Sequence, residues 1–440
     1  MTANPTVAAP MVASPAASPV TTTAHVSLAP AARRAPAAAV PCAHLLDPRG
    51  AHVVLGATDD RLGMAAPVVP SAHAMFGPRG VCAGPDGSLW VSDTGHHRVL
   101  GWFSTPTVDN APADILLGQP AFDREGRNAG GSASADTLNV PTGICACGPQ
   151  AAGLAVADAW NHRVLIWHQR PTHSNQRPDV VLGQADFDGG ESNRGQPLPT
   201  GATLFWPYCV AWDGLRLWVA DTGNRRVLMW NGLPGAHGTP ADLVLGQNGF
   251  DTRDENNGGA PDARSMRWPH AITFPAAGLC VADAGNNRLM RWLQRPVANN
   301  TACDVLVGQA GALLVEHNQA SYYPDAACLN MPYGAAVAGD LLVVADTANS
   351  RLLAWQVDSL KTHGVNAVAL AAQPDWNSKG DNRWLAAARD SVCWPYSVAL
   401  GAPASGRDTL LVADSGNNRI LLWSLQWSLA AAAAVAAGSP

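Results

Sequence analysis

The sequence predicts an all-β fold, a six-bladed β-propeller closed by a strand from the N-terminal region. Three observations support this prediction. One motif recurs six times at nearly regular spacing, each copy divides into short apolar strands separated by turn residues, and the sixth copy has no outermost strand of its own. Repeats of this length indicate one continuous array of structural units instead of several separate domains.

The repeated motif consists of an Asp, an Arg five residues later and a Trp four residues after the Arg. The six copies are Asp93-Arg98-Trp102, Asp158-Arg163-Trp167, Asp221-Arg226-Trp230, Asp283-Arg288-Trp292, Asp346-Arg351-Trp355 and Asp414-Arg419-Trp423. Successive aspartates are 62 to 68 residues apart. An Asn stands three residues after each Asp, except that His96 takes this position in the first copy. A regular frame of this kind predicts one structural unit per copy.

Each unit divides into four predicted strands. Apolar runs such as LWVAD end at the Asp, a Gly- and Asn-rich stretch predicts a tight turn, and runs such as RVLMW form the next strand. A Pro upstream of each Asp begins a further strand with small residues two and four positions after the Pro. Because inner strands of a propeller crowd around its axis, these small residues place this strand innermost.

The outermost strand carries the phrase LGQ-x-x-F and explains how the ring should close. Five copies follow their own motif, beginning with DILLGQPAFD at 114–123, and the fifth is degenerate. The sixth copy, HVVLGATDD at 52–60, precedes the first motif, while no such strand follows Trp423. We therefore expect Val53, Val54 and Leu55 to complete the last blade, because this pairing removes the exposed edges of an open array.

The predicted domain organisation is a propeller over residues 50–425 between two tails. Residues 1–41 are almost entirely Ala, Pro, Val, Thr and Ser, a composition that predicts disorder, and residues 426–440 form an Ala-rich tail. No apolar run is long enough to span a membrane, so the cytoplasm is the expected compartment. The nine cysteines include Cys145 and Cys147, but no CxxC pair accompanies them, so neither a metal site nor a cofactor is expected.

The motif resembles that of the NHL-repeat family, whose repeat has the form P-x-G followed by VADxxNxR. The resemblance covers roughly residues 50–425, and it is closest to a bacterial subgroup in which LGQ-x-x-F precedes each repeat. It implies that six repeats close into one propeller. It implies little about function, because this fold carries enzymes, RNA-binding modules and scaffolds.

Candidate site residues are those that depart from the repeat, because an element present in every blade is structural. The repeated Asp, Arg and Trp residues are therefore expected to stabilise the fold, and no catalytic residue is predicted. The residue after each Pro varies, and six such side chains should surround one mouth of the central channel. They are Arg79, Thr142, Tyr208, His270, Tyr333 and Tyr396. The alternative is that a Tyr after Pro only packs beneath the neighbouring loop.

Three functional classes remain open. The first expectation is a monomeric, non-catalytic binding or scaffold protein that holds a protein partner or a small ligand at this mouth. The second is a lyase or hydrolase, with or without a metal, in which His270 is acid, base or ligand and Tyr208, Tyr333 or Tyr396 assists. The third is RNA binding, which the net charge of −6 disfavours although aromatic side chains can stack on bases.

Overall fold

The computed structural model describes residues 42–56, 68–404 and 407–426. The predicted N-terminal tail, and all of the predicted C-terminal tail except Gln426, lie outside the described residues. Within them, no helix is both long and apolar enough to cross a bilayer. Two strands precede the first blade, β1 (Ala43–His44) and β2 (Val53–Leu55).

The remaining strands form six antiparallel sheets, one per motif, as predicted. Blade one contains β3 (Gly80–Ala83), β4 (Leu89–Asp93), β5 (Arg98–Trp102) and β6 (Ile115–Leu117). Blade two contains β7 (Pro141–Cys147), β8 (Gly153–Asp158), β9 (Arg163–Trp167) and β10 (Val180–Leu182). Blade three contains β11 (Pro207–Trp212), β12 (Leu217–Asp221), β13 (Arg226–Trp230) and β14 (Leu243–Leu245).

The second half of the ring repeats this order. Blade four contains β15 (Pro269–Thr273), β16 (Leu279–Asp283), β17 (Arg288–Trp292) and β18 (Val305–Val307). Blade five contains β19 (Pro332–Ala338), β20 (Leu341–Asp346), β21 (Arg351–Gln356) and β22 (Ala369–Ala371). Blade six contains β23 (Pro395–Ala404), β24 (Arg407–Asp414) and β25 (Arg419–Ser424).

Short 3₁₀ turns follow every motif Asp and also occur in the loops that lead to the next blade. The turns after the Asp are Thr94–His96, Ala159–Asn161, Thr222–Asn224, Ala284–Asn286, Thr347–Asn349 and Ser415–Asn417. The loop turns are Arg127–Gly130, Ser192–Gly195, Glu255–Gly258, His317–Ala320 and Asp381–Trp384. Two further turns, Pro149–Ala151 and Val357–Ser359, lie elsewhere in blades two and five.

The N-terminal segment closes the ring as predicted, because β2 is the fourth strand of blade six. It pairs antiparallel with β25 in the register Val53 to Leu422 and Leu55 to Ile420. The segment also does something that the sequence does not predict. Strand β1 adds to blade five as a fifth strand, parallel to β22. Leu46 then forms a bridge with Leu425 of blade six, so the segment crosses the junction between these two blades before β2 begins.

The core is divided among the six junctions between blades. Six clusters of buried apolar side chains are present, and each draws its members from two neighbouring blades. The cluster between blades six and one, for example, joins Leu411 of β24 to Val91 of β4 and includes Val53 and Leu55 of β2. Losing β2 would therefore remove buried apolar surface as well as sheet hydrogen bonds.

The repeated Asp and Arg form a buried hydrogen-bond network at the end of the second strand of each blade. In blade three the Asp221 carboxylate accepts hydrogen bonds from the Phe205 backbone N–H at 2.7 Å, from Asn224 Nδ2 at 2.8 Å and from Arg226 Nε at 2.7 Å. The rest of the Arg226 guanidinium donates to the Phe250, Thr200 and Thr203 carbonyls. Both side chains are completely buried. The network agrees with the structural role expected of these residues.

The LGQ-x-x-F phrase anchors the long loop to the propeller. Gln119 Nε2 donates to the His97 carbonyl at 3.2 Å and to the Gly126 carbonyl at 2.7 Å, and the Phe122 carbonyl accepts from the Arg98 guanidinium. Further along the same loop, Asn128 and Asn161 exchange two side-chain hydrogen bonds. Equivalent contacts recur in later blades, so these loops are held against the turns that follow the motif Asp.

Candidate functional site

The six residues singled out by the sequence all line one cavity at the mouth of the channel. Each is the second residue of an inner strand or immediately precedes one, because each follows the Pro at which the chain enters the centre of the ring. The cavity has a volume of about 340 Å³ and extends from this mouth along the inner strands as far as Trp212, Phe274 and Leu400. The structure therefore brings all six side chains together at one opening of the channel.

Four aromatic rings in this mouth form one continuous contact series. The rings of Tyr208 and His270 lie 4.9 Å apart, those of His270 and Tyr333 lie 4.3 Å apart and nearly parallel, and those of Tyr333 and Tyr396 lie 4.5 Å apart. The guanidinium carbon of Arg79 then lies 4.7 Å from the centre of the Tyr396 ring. Five blades thus contribute one side chain each to a single stack.

His270 is held in one neutral form. Its Nδ1–H donates to the Trp268 carbonyl at 3.0 Å, which leaves Nε2 with its lone pair. Burial lowers the pKa of His270 from 6.5 to about 4; the hydrogen bond to Trp268 opposes this shift and the positive charge of Arg79 adds to it. At neutral pH the residue therefore offers a hydrogen-bond acceptor and a flat ring but no charge.

The two tyrosines beside His270 remain protonated at neutral pH. Burial raises the pKa of Tyr333 to about 12, and burial raises the pKa of Tyr396 well above its ordinary value, in both cases against the effect of Arg79. Their hydroxyl groups can donate or accept a hydrogen bond. The charge of the mouth at neutral pH consequently comes from Arg79.

Thr142 differs from the other five because its hydroxyl is used between blades. In blades one, three and five, a Thr directly after the motif Asp donates to the Pro carbonyl of the next blade, as Thr94 does to Pro141 at 2.7 Å. Blade two has Ala159 at that position, and there Thr142 Oγ1 donates to the Pro207 carbonyl at 3.3 Å. Thr142 therefore replaces a missing contact between blades two and three.

A second ring of residues, those immediately before each Pro, was missed by the sequence analysis. Five of the six adopt a left-handed backbone, an uncommon conformation for any residue other than Gly. The five are Gly77, Val140, Trp206, Met331 and Trp394. Each donates its backbone N–H to a side chain of the preceding blade, as Met331 does to Asn287 Oδ1 at 2.8 Å. Hydrogen bonds between neighbouring blades thus set the direction in which five of the six inner strands begin.

Trp268 is the exception, and its neighbour in blade three explains why. The position that supplies the acceptor elsewhere is Arg225 in blade three, and a guanidinium cannot accept a hydrogen bond. Trp268 does not adopt the left-handed conformation, and its N–H instead lies 3.4 Å from Asp283 Oδ1. Because the Trp268 carbonyl holds the His270 ring, this irregular entry occurs beside the one histidine of the mouth. The signal in the sequence was Arg225, because the equivalent position in the other blades holds His, Asn or Ser.

Exposed aromatic side chains surround the mouth on the same face. Trp206, Trp268 and Trp394 are between 38% and 44% exposed, although large apolar side chains are usually buried. Trp206 also stacks on Trp160 of the preceding blade at 6.3 Å. Clustered exposed apolar side chains mark surfaces used for binding. The pre-proline ring thus widens the aromatic mouth into a larger apolar surface.

The described part of the chain contains no group of three or more His, Cys, Asp or Glu residues arranged to hold a metal ion. The thiols of Cys82, Cys145 and Cys209 line the channel, and burial raises the pKa of each. A buried thiol with a raised pKa is a poor nucleophile. The chemistry that this mouth offers is therefore ring stacking, hydrogen bonding to neutral groups, and one guanidinium.

Fold and site together define a six-bladed β-propeller with an aromatic mouth on its axis. The family model of the NHL repeat matches residues 77–102, the segment from the residue before Pro78 to the end of β5. The other five blades repeat the same Asp, Arg and Trp positions, so the protein is a propeller built from NHL-type blades. No curated protein matches the sequence.

Several solved structures resemble this chain at low sequence identity. A protein of unknown function from Bacteroides thetaiotaomicron is 11% identical, with a TM-score of 0.45 over 86% of this chain and 75% of that one. A candidate gluconolactonase is 17% identical, with a TM-score of 0.42 over 85% and 98%. Virginiamycin B lyase from Staphylococcus aureus is 11% identical, with a TM-score of 0.37 over 82% and 89%. Likenesses at this level carry no information about activity.

Proposed function

We propose that the protein is a non-catalytic binding propeller that holds a small ligand or the tip of a protein partner at the aromatic mouth. The observation that carries this proposal is the series of stacked rings from Tyr208 to Tyr396 around a cavity of about 340 Å³. Concave sites with a mostly apolar lining and few converging polar groups are typical of ligand pockets. We infer also that the chain belongs to the NHL proteins with LGQ-x-x-F repeats.

A second candidate is a lyase or hydrolase reaction at the same mouth, and one observation favours it. His270 keeps a free Nε2 lone pair beside the hydroxyl-bearing ring of Tyr333, so it could remove a proton from a bound molecule. The low pKa of about 4 makes it a weak base at neutral pH. Binding without catalysis is for this reason the preferred function.

The test is a thermal-shift screen of the purified protein against a small-molecule library, with a double variant as comparison. His270→Ala with Tyr333→Phe removes the imidazole and one hydroxyl from the mouth while leaving the core between the blades intact. We expect compounds that raise the melting temperature of the wild-type protein to lose this effect in the double variant. Trp384→Gly, which removes an exposed ring outside the mouth, serves as the control and should keep the hits that the double variant loses.

The proposal fails if the double variant responds to the same compounds as the wild type, or if no compound stabilises the wild type. Catalysis is tested on the same hits by mass spectrometry after incubation. Conversion of a hit by the wild type and its loss in His270→Ala would replace binding by the second candidate.

A further inference from the structure

We infer that the molecule held at the mouth is a small monoanionic acid that carries a planar ring, with its carboxylate on Arg79. This inference rests on the proposed function of the mouth and adds the chemical class of its ligand. It follows from the balance of charge in the cavity wall, from the position of the guanidinium and from the direction of the remaining polar groups.

The charge of the cavity wall is unbalanced. Among the described residues that line the cavity, Arg79 is the sole Lys or Arg, and none is Asp or Glu. Every motif Arg of the chain has a carboxylate partner, as Arg226 has Asp221, whereas the guanidinium of Arg79 has no ion pair or hydrogen bond within the described part of the chain. The side chain is partly buried, and a bound carboxylate would give its guanidinium charge-assisted hydrogen bonds that the described residues do not supply.

The position of Arg79 brings this charge to the axis. Its guanidinium lies over the Tyr396 ring, and its charge also acts on His270, which belongs to the blade on the opposite side of the ring. A ligand anywhere in the mouth is thus near this charge. Arginine also binds carboxylates through two parallel hydrogen bonds, a geometry that a single Lys ammonium does not offer.

The same position excludes the other ligand class that aromatic mouths commonly take. Three tyrosines and a histidine could enclose a quaternary ammonium group, since aromatic faces attract cations. Here the face of Tyr396 is already occupied by a cation, and no carboxylate lines the described cavity wall to offset a second one. A positive ligand would meet repulsion from Arg79, so the mouth favours an anion.

The remaining groups specify the body of the ligand. Tyr208 is the last ring of the stacked series, and among the described residues its ring contacts one aromatic side chain, His270, so its other face suits a planar ring. The free Nε2 of His270 is an acceptor, so it suits a ligand that also has a hydroxyl or N–H donor. The cavity volume of about 340 Å³ lies at the small end of ligand pockets, which limits the ligand to about one ring.

The experiment compares three probes of one shape and different charge. They are 4-hydroxyphenylacetate, its neutral amide, and 4-hydroxyphenyltrimethylammonium, and their dissociation constants are measured by ligand-observed NMR titration. The proteins are wild type, Arg79→Gln, Arg79→Lys and the control Trp384→Gly, which changes a residue outside the mouth. Melting temperatures are recorded for all four, because Arg79→Gln loses the contact with the Tyr396 ring and any loss of stability must be separated from a loss of binding.

We expect wild type and Trp384→Gly to bind the acid at least about tenfold more tightly than the amide, as a charge-assisted contact would provide. Arg79→Gln should bind acid and amide equally, and Arg79→Lys should recover part of the preference. Equal binding of acid and amide by wild type, or tighter binding of the ammonium, overturns the anionic class but leaves the mouth as a binding site. Absence of binding by all three probes also overturns this inference, while the library screen with the double variant decides the proposed function separately.

Discussion

The imidazole of His270 lies against the phenol ring of Tyr333, with 4.3 Å between ring centres and 19° between ring planes. These two side chains come from neighbouring blades and occupy the same position after their prolines. Their contact joins blades four and five at the axis, where backbone hydrogen bonds between blades are absent from the described sheets. The contact is thus a junction between two blades, and protonation of His270 should affect stability.

The first prediction concerns pH. The folded-state pKa of His270, about 4, lies below its ordinary value of 6.5, so between these values the unfolded chain binds a proton that the folded protein excludes. The stability linked to this residue is complete above pH 6.5 and is lost as the pH falls towards 4. From pH 7 to pH 5 the loss should be about 2 kcal/mol.

Urea denaturation of wild type and His270→Gln at both pH values measures this effect. The variant should lose about 2 kcal/mol less than the wild type over the interval. Both proteins keep His97 and His162, whose pKa values burial also lowers to about 4, so a residual slope is expected in each. Identical pH dependence in the two proteins would show that His270 takes up its proton in the folded state as easily as in the unfolded chain.

The second prediction concerns the repeated network. Arg226→Ala leaves the buried Asp221 carboxylate without its main partner and frees three backbone carbonyls, so the free energy of unfolding should fall by about 3–5 kcal/mol. The neighbouring Arg225 is only partly buried and lies outside the network, so Arg225→Ala should cost less than about 1 kcal/mol. Chemical denaturation of both variants gives the comparison. A small loss for Arg226→Ala would mean that the network is not needed for stability.

The third prediction concerns backbone strain. Val140 is β-branched yet has φ of 55°, whereas blade one has Gly77 at the equivalent position with φ of 54°. A left-handed conformation costs a non-Gly residue about 1–2 kcal/mol, so Val140→Gly should raise the free energy of unfolding by about 1 kcal/mol. Val140→Ala keeps the Cβ atom and should gain less. The idea is wrong if Val140→Gly melts below the wild type.

The fourth prediction concerns closure. Relative to a chain that begins at Cys42, a chain that begins at Gly50 lacks β1 and should lose the fifth strand of blade five while keeping blade six complete. A chain that begins after residue 58 lacks β2 as well and exposes the edge of β25. Thermal melts should show a moderate loss for the first deletion and a much larger loss, or aggregation, for the second. Equal melting of all three would refute closure by β2.

Much of the fold could be predicted because the same residues recur at the same strand positions in every blade. The motif Asp, Arg and Trp locate two strands per blade, and the upstream Pro locates the innermost one. A surplus copy of the outer strand before the first motif locates the closure. Strand β1 could not be predicted, because Ala43 and His44 carry no pattern and pair with a blade far away in sequence. Its presence depends on the free outer edge of β22, which is a property of the assembled ring.

The sequence predicted which residues surround the mouth, but it did not predict the contacts that each of them makes. Departure from the repeat identified the six residues around the mouth, but the separate role of Thr142 depends on Ala159, which lies in the turn after the second strand of the same blade. The irregular entry at Trp268 likewise depends on Arg225 of the preceding blade. Arg225 and Trp268 lie in different repeats, whereas Thr142 and Ala159 lie in one repeat but determine its contact with the next blade. The sequence of one repeat, considered without its neighbour, therefore does not show either effect.

The pairing of β2 with β25 also determines how the ring responds to force. Leu46 and Leu425 form a bridge, and Val53 pairs with Leu422, so both chain ends leave the sheet on the same side. Tension between the N-terminal end of β2 and the C-terminal end of β25 would therefore break the residue pairs of these two strands one after another, beginning with Val53 and Leu422. Under such tension we expect the pairing of β2 with β25 to separate before the apolar junctions between the blades.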